Sequence, residues 1–235
     1  MRDEGAVMKK YELRPCGDSA VTMVFGSGIS PELNREVVRC LHALRRADVR
    51  GITELVPAYC SLTVHYDPLL LSYEELCGRI NGLDCAEHAA EASSAELLTV
   101  PVCYGGQYGP DLASVAELCG MSEAEVVALH SAAEYLVYML GFMPGFPYLG
   151  GMDERIAAPR LETPRVRIEA GSVGIAGKQT GIYPLASPGG WRIIGRTPLR
   201  LFDAASGETL CRAGMWLRFV PVSVEEFAEL EASVC

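Results

Sequence analysis

Between Gly171 and Pro184 the chain reads GSVGIAGKQTGIYP, a run of glycines with a lysine behind the third. A phosphate-cradling loop has the form G-x-x-x-x-G-K-[ST] between a strand and a helix, so that backbone N–H groups and the helix N-terminus face the anion. Here Ser172 stands where the first glycine should be and Gln179 follows Lys178. Pro184 cannot lie inside a new helix. The segment fails as a phosphate loop. Val173 and Ile175 alternate with small residues, which predicts strand, turn, strand, with glycines where a backbone or a ligand comes close.

Other residues able to do chemistry lie around it. Arg160, Arg165 and Arg192 are forked cations suited to planar or tetrahedral anions. His130 is the only histidine nearby and is the acid–base candidate. Ser172, Gln179 and Thr180 can hold an amide by hydrogen bonds. Phe146, Tyr148, Tyr183 and Trp191 are candidates for the walls of an apolar pocket. Gly189 and Gly190 read as a turn with unusual φ that places Trp191.

Each reading has a plainer competitor. His130 ends a helix and suits its C-terminal dipole. Arg165 has Glu162 and Glu169 as nearby ion-pair partners, and Arg160 could pair anywhere on the surface. Gln179 and Thr180 could merely stabilise a turn, and large aromatic residues are more often core than pocket. No cluster of His, Cys and carboxylates has metal-ligand spacing, so no metal site is expected.

Composition narrows the class. The chain has 235 residues, is 49% hydrophobic and 21% charged, and can bury a sizeable core. The net charge of −10 argues against nucleic acid. Residues 141–200 nevertheless carry eight basic and four acidic side chains, a basic segment able to receive an anion. No apolar run reaches the length of a membrane span, and the first residues lack the apolar core of a signal peptide. Nine cysteines without a C-x-x-C pair read as reduced thiols, so a cytoplasmic location is expected.

These groups need elements to position them. Strand material over 11–25 is followed by a helix from Ser30 to Asp48, with Pro31 in its first turn and Leu33, Val37, Leu41 and Leu44 on one face. ITELVP and CSLTVHY read as strands, and Ser72 with Glu75 opens a second helix as a capping box. Closed by a strand near LLTVPV, the β-α-β-β-α-β order predicts a ferredoxin-like unit over residues 1–85. Residues 86–96 read as a linker, and 97–235 as the second domain. There, helices are expected from Asp111 to before Gly120 and from Ser122 to about Ala133, with VEEFAELE as a last short one. Residues 141–200 hold 11 of the 24 glycines and 7 of the 14 prolines, which favours a barrel or sandwich of short strands.

Four segments in order, GFMPGFPYLGG, PRLETPR, GSVGIAGKQTGIYP and SPGGWRIIGRTP, closely resemble the family of the bacterial 5-oxoprolinase B subunit. That family is also called allophanate hydrolase subunit 1, or the Kip-type sensor-kinase inhibitor. VPVCYGGQYGPDL and LHSAAEYLVYMLGF resemble it too. The resemblance implies an α+β chain, a small α/β domain before a cyclophilin-like β-barrel, without prolyl isomerase activity. It implies the A and C subunits of 5-oxoprolinase as partners, in a complex that opens 5-oxo-L-proline to L-glutamate with ATP, which would bind with or on the partner. Phosphorylating the lactam oxygen would make it a leaving group, needing cations and an orienting base. His130 and Arg165 are the catalytic candidates, with the other residues named above on the substrate. The alternatives within the resemblance are inhibition of a sensor histidine kinase and an allophanate- or urea-degrading system with a small amide substrate.

Overall fold

Helix ends and strand faces follow local chemistry. The structure, a computed structural model, describes residues 11–83 and 97–234. The linker expected at 86–96 lies outside them. The chain divides into two units, Met1–Ser94 and Ala95–Cys235.

In the first unit the order is β1 (Glu12–Pro15), β2 (Ala20–Val24), α1 (Pro31–Ala47), β3 (Ile52–Pro57), β4 (Ser61–Tyr66) and α2 (Tyr73–Asn81). Ser30 caps α1 by accepting from the Leu33 N–H, and Ser72 with Glu75 forms the expected capping box of α2. The sheet runs β1-β2-β4-β3, antiparallel throughout. Its alternating inward residues Val21, Met23, Leu62 and Val64 pack on Val37, Leu41 and Leu44 of α1 and on Leu76 and Ile80 of α2. The β-α-β-β-α part of the expected order is present, with β4 between β2 and β3. The closing strand is not the expected one. The fourth strand is β1, supplied by a hairpin ahead of β2, whereas the LLTVPV segment belongs to the other unit.

In the second unit, β5 (Leu97–Tyr104), β6 (Glu134–Leu140), β7 (Pro147–Gly150), β9 (Ser172–Ala176), β10 (Gln179–Ile182), β12 (Arg192–Arg196) and β13 (Trp216–Pro221) form a closed barrel in the order β10-β7-β6-β13-β5-β12-β9. The fold is thus mixed α+β, with a closed seven-stranded barrel. Helices α3 (Leu112–Cys119) and α4 (Glu123–Ala132) precede β6, and α5 (Val224–Val234) follows β13. A small ladder pairs β8 (Arg165–Ile168) with β11 (Ser187–Gly189). The barrel encloses Val100, Val102, Tyr135, Val173, Ile175, Leu217 and Phe219. A separate cluster of Phe146, Ile168, Ala176, Tyr183, Trp191 and Ile193 packs elsewhere on the unit. Successive Ile193 and Ile194 of β12 divide between the two clusters, as strand alternation requires.

The glycines of the opening segment now have distinct reasons. Gly177 takes φ +59° in the two-residue turn that joins β9 to β10. Gly174 and Gly181 face each other across that hairpin. A Cβ on Gly181 would stand 2.9 Å from the Phe146 ring, and one on Gly174 would stand 3.2 Å from the Trp191 Cβ. What approaches closely is Phe146 at Gly181, and Ile193 together with Trp191 at Gly174. Gly171 has φ +81° and lies against the Thr197 carbonyl. Its N–H donates to the Tyr183 carbonyl and its own carbonyl accepts from the Thr197 N–H. Gly171→Ala should therefore destabilise the chain by about 2 kcal/mol or more, since the φ is strained for a side chain and the Cβ meets backbone. Urea unfolding checks this, and a change below about 0.5 kcal/mol would contradict it.

Candidate arginine and aromatic site

The segment before β8 and the segment after β11 run side by side. Gly189 pairs with Arg165 in the ladder, the Leu161 N–H donates to the Gly190 carbonyl at 2.8 Å, and Arg192 Nε donates to the Pro159 carbonyl at 2.9 Å. This brings Arg160, Arg165, Gly189, Gly190, Trp191 and Arg192 together.

Asp111 organises the group. Arg165 meets its carboxylate with both terminal nitrogens, at 2.8 and 2.7 Å. Asp111 Oδ2 also accepts from the Ile193 backbone N–H at 2.7 Å, and the Asp111 N–H donates to the Ile193 carbonyl at 2.9 Å. The carboxylate is buried, so these bonds replace its lost hydration. Asp111 stands at the N-cap position of α3 yet makes no side-chain cap bond there. Ser114 Oγ donates to the Asp111 carbonyl at 2.8 Å and accepts from Arg192 Nη1 at 3.0 Å. Arg165 thus pairs with Asp111, a residue distant in sequence, and not with Glu162 or Glu169. Arg160 is exposed and has no hydrogen bond or ion pair among the described residues. Arg165 and Arg192 are thus held by Asp111 and Ser114, and Arg160 alone of the three guanidiniums has no such bond among the described residues.

The aromatic residues behave differently from pocket walls. Phe146, Tyr183 and Trp191 are buried and Tyr148 is partly buried. Phe146 meets Tyr148, Tyr183 and Trp191 edge-on, with ring centroids 5.1, 5.4 and 5.4 Å away. These rings fill one another's space. Phe142 is the exposed member, 64% accessible, and it meets Phe146 edge-on at 5.5 Å. Its φ of +65° is uncommon for a bulky residue. Neither Gly189 nor Gly190 has the positive φ expected of them. A Cβ on Gly189 would lie 2.5 Å from the Tyr183 hydroxyl, so close approach is what glycine provides there. Burial pushes the Tyr183 hydroxyl above the usual tyrosine value, opposed by the Trp191 backbone N–H and the nearby Arg160 charge.

His130 and Thr180 belong to the barrel core. His130 is wholly buried. Its Nδ1 lies 2.8 Å from the Tyr104 hydroxyl and its Nε2 2.9 Å from Thr180 Oγ1. Thr180 donates to the Gly174 carbonyl at 3.1 Å, so it accepts from Nε2–H, and Nδ1 accepts from Tyr104. Phe219 stacks on the ring at 4.5 Å. Burial lowers the His130 pKa to about 3 and raises that of Tyr104 well above its usual value. Desolvation outweighs any help from the helix C-terminus. The imidazole is neutral, bonded at both nitrogens and buried, an arrangement that suits a core pin, and no contact above brings it to the arginine group. Ser172 is buried at the start of β9 opposite Arg196, and Gln179 is partly buried at the start of β10 opposite Ala176. Neither is brought to the arginine group by any contact above.

Sequence reasoning missed Asp111 and Ser114 as site residues, and missed Tyr104 and Phe142. Asp111 was placed only as the start of a helix, and nothing local to it signals an ion pair with Arg165. No group of three or more His, Cys, Asp or Glu among the described residues could hold a metal ion. The glycine hairpin does not fit a triphosphate, because it runs from strand to strand and offers no helix N-terminus.

Residues 11–211 match the family described as carboxyltransferase domain, subdomain C and D. The chain belongs to this family. It is 44% identical over 230 residues to the 5-oxoprolinase B subunit of Bacillus subtilis (strain 168), covering 93% of this chain and 95% of that one. It is 43% identical over 211 residues to the 5-oxoprolinase B subunit of Escherichia coli O157:H7, covering 87% and 93%. Among solved structures, TTHA0988 superposes with a TM-score of 0.78 at 38% identity, covering 90% of this chain and 40% of that longer one. The family resemblance drawn from the four motif segments therefore holds.

The His130 environment makes a pH prediction. Its folded pKa lies below the free-histidine value of about 6.5, so protons favour the unfolded chain. The stabilising contribution is intact above about pH 6.5 and is lost as the pH falls toward about 3, by about 1.4 kcal/mol per pH unit. Urea unfolding from pH 7.5 to pH 5 should show this slope, and His130→Asn should remove about one proton of it. An unchanged slope in the variant would place the titration elsewhere.

Proposed function

We propose that this chain is the B subunit of an ATP-dependent 5-oxoprolinase, acting with the A and C subunits to open 5-oxo-L-proline to L-glutamate. The observation that carries the reading is 44% and 43% identity, over about nine-tenths of each chain, to two proteins of that name. The barrel is of the cyclophilin-like kind that the resemblance implies, used for binding rather than isomerisation. In this reading Arg160, exposed and without a partner among the described residues, receives the substrate carboxylate. Arg165 and Arg192 are positioning residues, held by Asp111 and Ser114. ATP is handled by the partner subunits, and no step is assigned to it on this chain. The cytoplasmic location proposed from the sequence is compatible with helices none of which, among the described residues, is long and apolar enough to cross a membrane.

The test is ATP turnover by the chain co-expressed with the A and C subunits from the same genome, with and without 5-oxo-L-proline. The expected result is oxoproline-stimulated release of ADP and glutamate. Arg160→Ala should raise the KM for oxoproline about tenfold, the value of one lost charge-assisted bond, while stability stays within about 0.5 kcal/mol. No stimulation from a soluble, assembled complex would reject the reading, and would move attention to allophanate- or urea-type amides and then to sensor-kinase inhibition.

A further inference from the structure

The arginine and aromatic face is not the only place in the second unit where cations meet apolar surface. A cleft of about 420 Å³ is walled by Pro184, Leu185, Pro198, Leu199 and Phe202. Arg196 and Arg200 reach into its lining, and Glu231 of α5 closes one side. Arg196 is the organised cation. Its Nε donates to the Ala170 carbonyl at 2.9 Å, which fixes the plane of the guanidinium. Its side chain is only 31% exposed. Its terminal nitrogens make no hydrogen bond among the described residues. The nearest carboxylate, Glu231, stands 3.9 Å from Nη2, beyond hydrogen-bond reach. Arg200 is likewise 3.9 Å from Asp203.

A half-buried fork, held in orientation from behind and unbonded in front, is preorganised for an anion. The walls select its shape, because a compact apolar body beside the charged group would cover Leu185, Leu199 and Phe202. The local charge selects its valence. Glu231 and Asp203 stand near the two arginines and the Glu169 charge also acts on Arg196, so a single negative charge is accommodated more readily than a phosphate dianion. We propose that this cleft is a second ligand site, for small monocarboxylates carrying a compact apolar ring or chain, with Arg196 as its anchor and Glu231 as the carboxylate that competes with the ligand. The proposal does not depend on the oxoprolinase reading, since it concerns binding to this chain alone.

Calorimetric titration of the full chain tests it, using cyclopentanecarboxylate, the uncharged cyclopentylmethanol and inorganic phosphate as probes. The carboxylate should bind saturably, with the alcohol and phosphate at least tenfold weaker. Arg196→Gln should weaken the carboxylate at least tenfold, and Glu231→Gln should tighten it severalfold by removing the competitor. Arg200→Gln, at an exposed residue without hydrogen bonds, should weaken it severalfold and guards against a folding defect in the Arg196 variant. Absence of saturable carboxylate binding, preference for phosphate, or carboxylate affinity indifferent to the Arg196 and Glu231 changes would each overturn the assignment.

Discussion

A buried carboxylate with no room for error sets the geometry of the candidate site. Asp111 has left water, and an ionised carboxylate stays in such a place only if charge and hydrogen bonds replace its hydration. Arg165 supplies the charge through two parallel bonds, and the Ile193 N–H supplies a further donor. The consequence is mechanical. The start of α3, the ladder strand β8 and the barrel strand β12 are fixed to one another by one side chain. Arg192, next to Ile193, is then close enough to bond Ser114 and Pro159. The N-terminus of α3 forgoes its own side-chain cap so that this can happen.

The same economy explains the glycines. A barrel strand normally presents side chains on both faces. At Gly174 and Gly181 one face of the β9–β10 hairpin is left bare, and Trp191 and Phe146 lie against it. On the other face, Thr180 ties the hairpin to His130 and Tyr104 in the core. The hairpin is therefore held from both sides, by aromatic packing and by a satisfied buried polar network. Phe142 and Arg160 are what this rigid base leaves accessible.

Local signals made the helices legible. Ser30, Ser72 and Ser122 cap where their spacing says they should, and apolar stripes gave the buried faces. The Gly- and Pro-rich stretch announced short strands, and the motif set named the family. Long-range pairing was not legible. Leu97–Tyr104 looks like any strand, and nothing local says that its neighbours are β13 and β12 rather than the first unit's sheet. Within the site, residue types gave the arginines and the aromatic residues but not their environments. His130 and Thr180 have types suited to chemistry, yet burial decides their role, and burial is set by contacts distant in sequence, such as His130 with Thr180 and with Phe219. Asp111 was read for its helix because its partner is 54 positions away.

Asp111 and Arg165 act as one unit, and that unit carries the arginine face. A double-mutant cycle measures this directly: unfolding free energies of the full chain, of Asp111→Ala, of Arg165→Ala and of the pair. The expected result is a favourable coupling of at least about 1 kcal/mol, with the double variant less damaged than the sum of the singles. Additive effects, within about 0.3–0.5 kcal/mol, would mean the two side chains are independent and would contradict it.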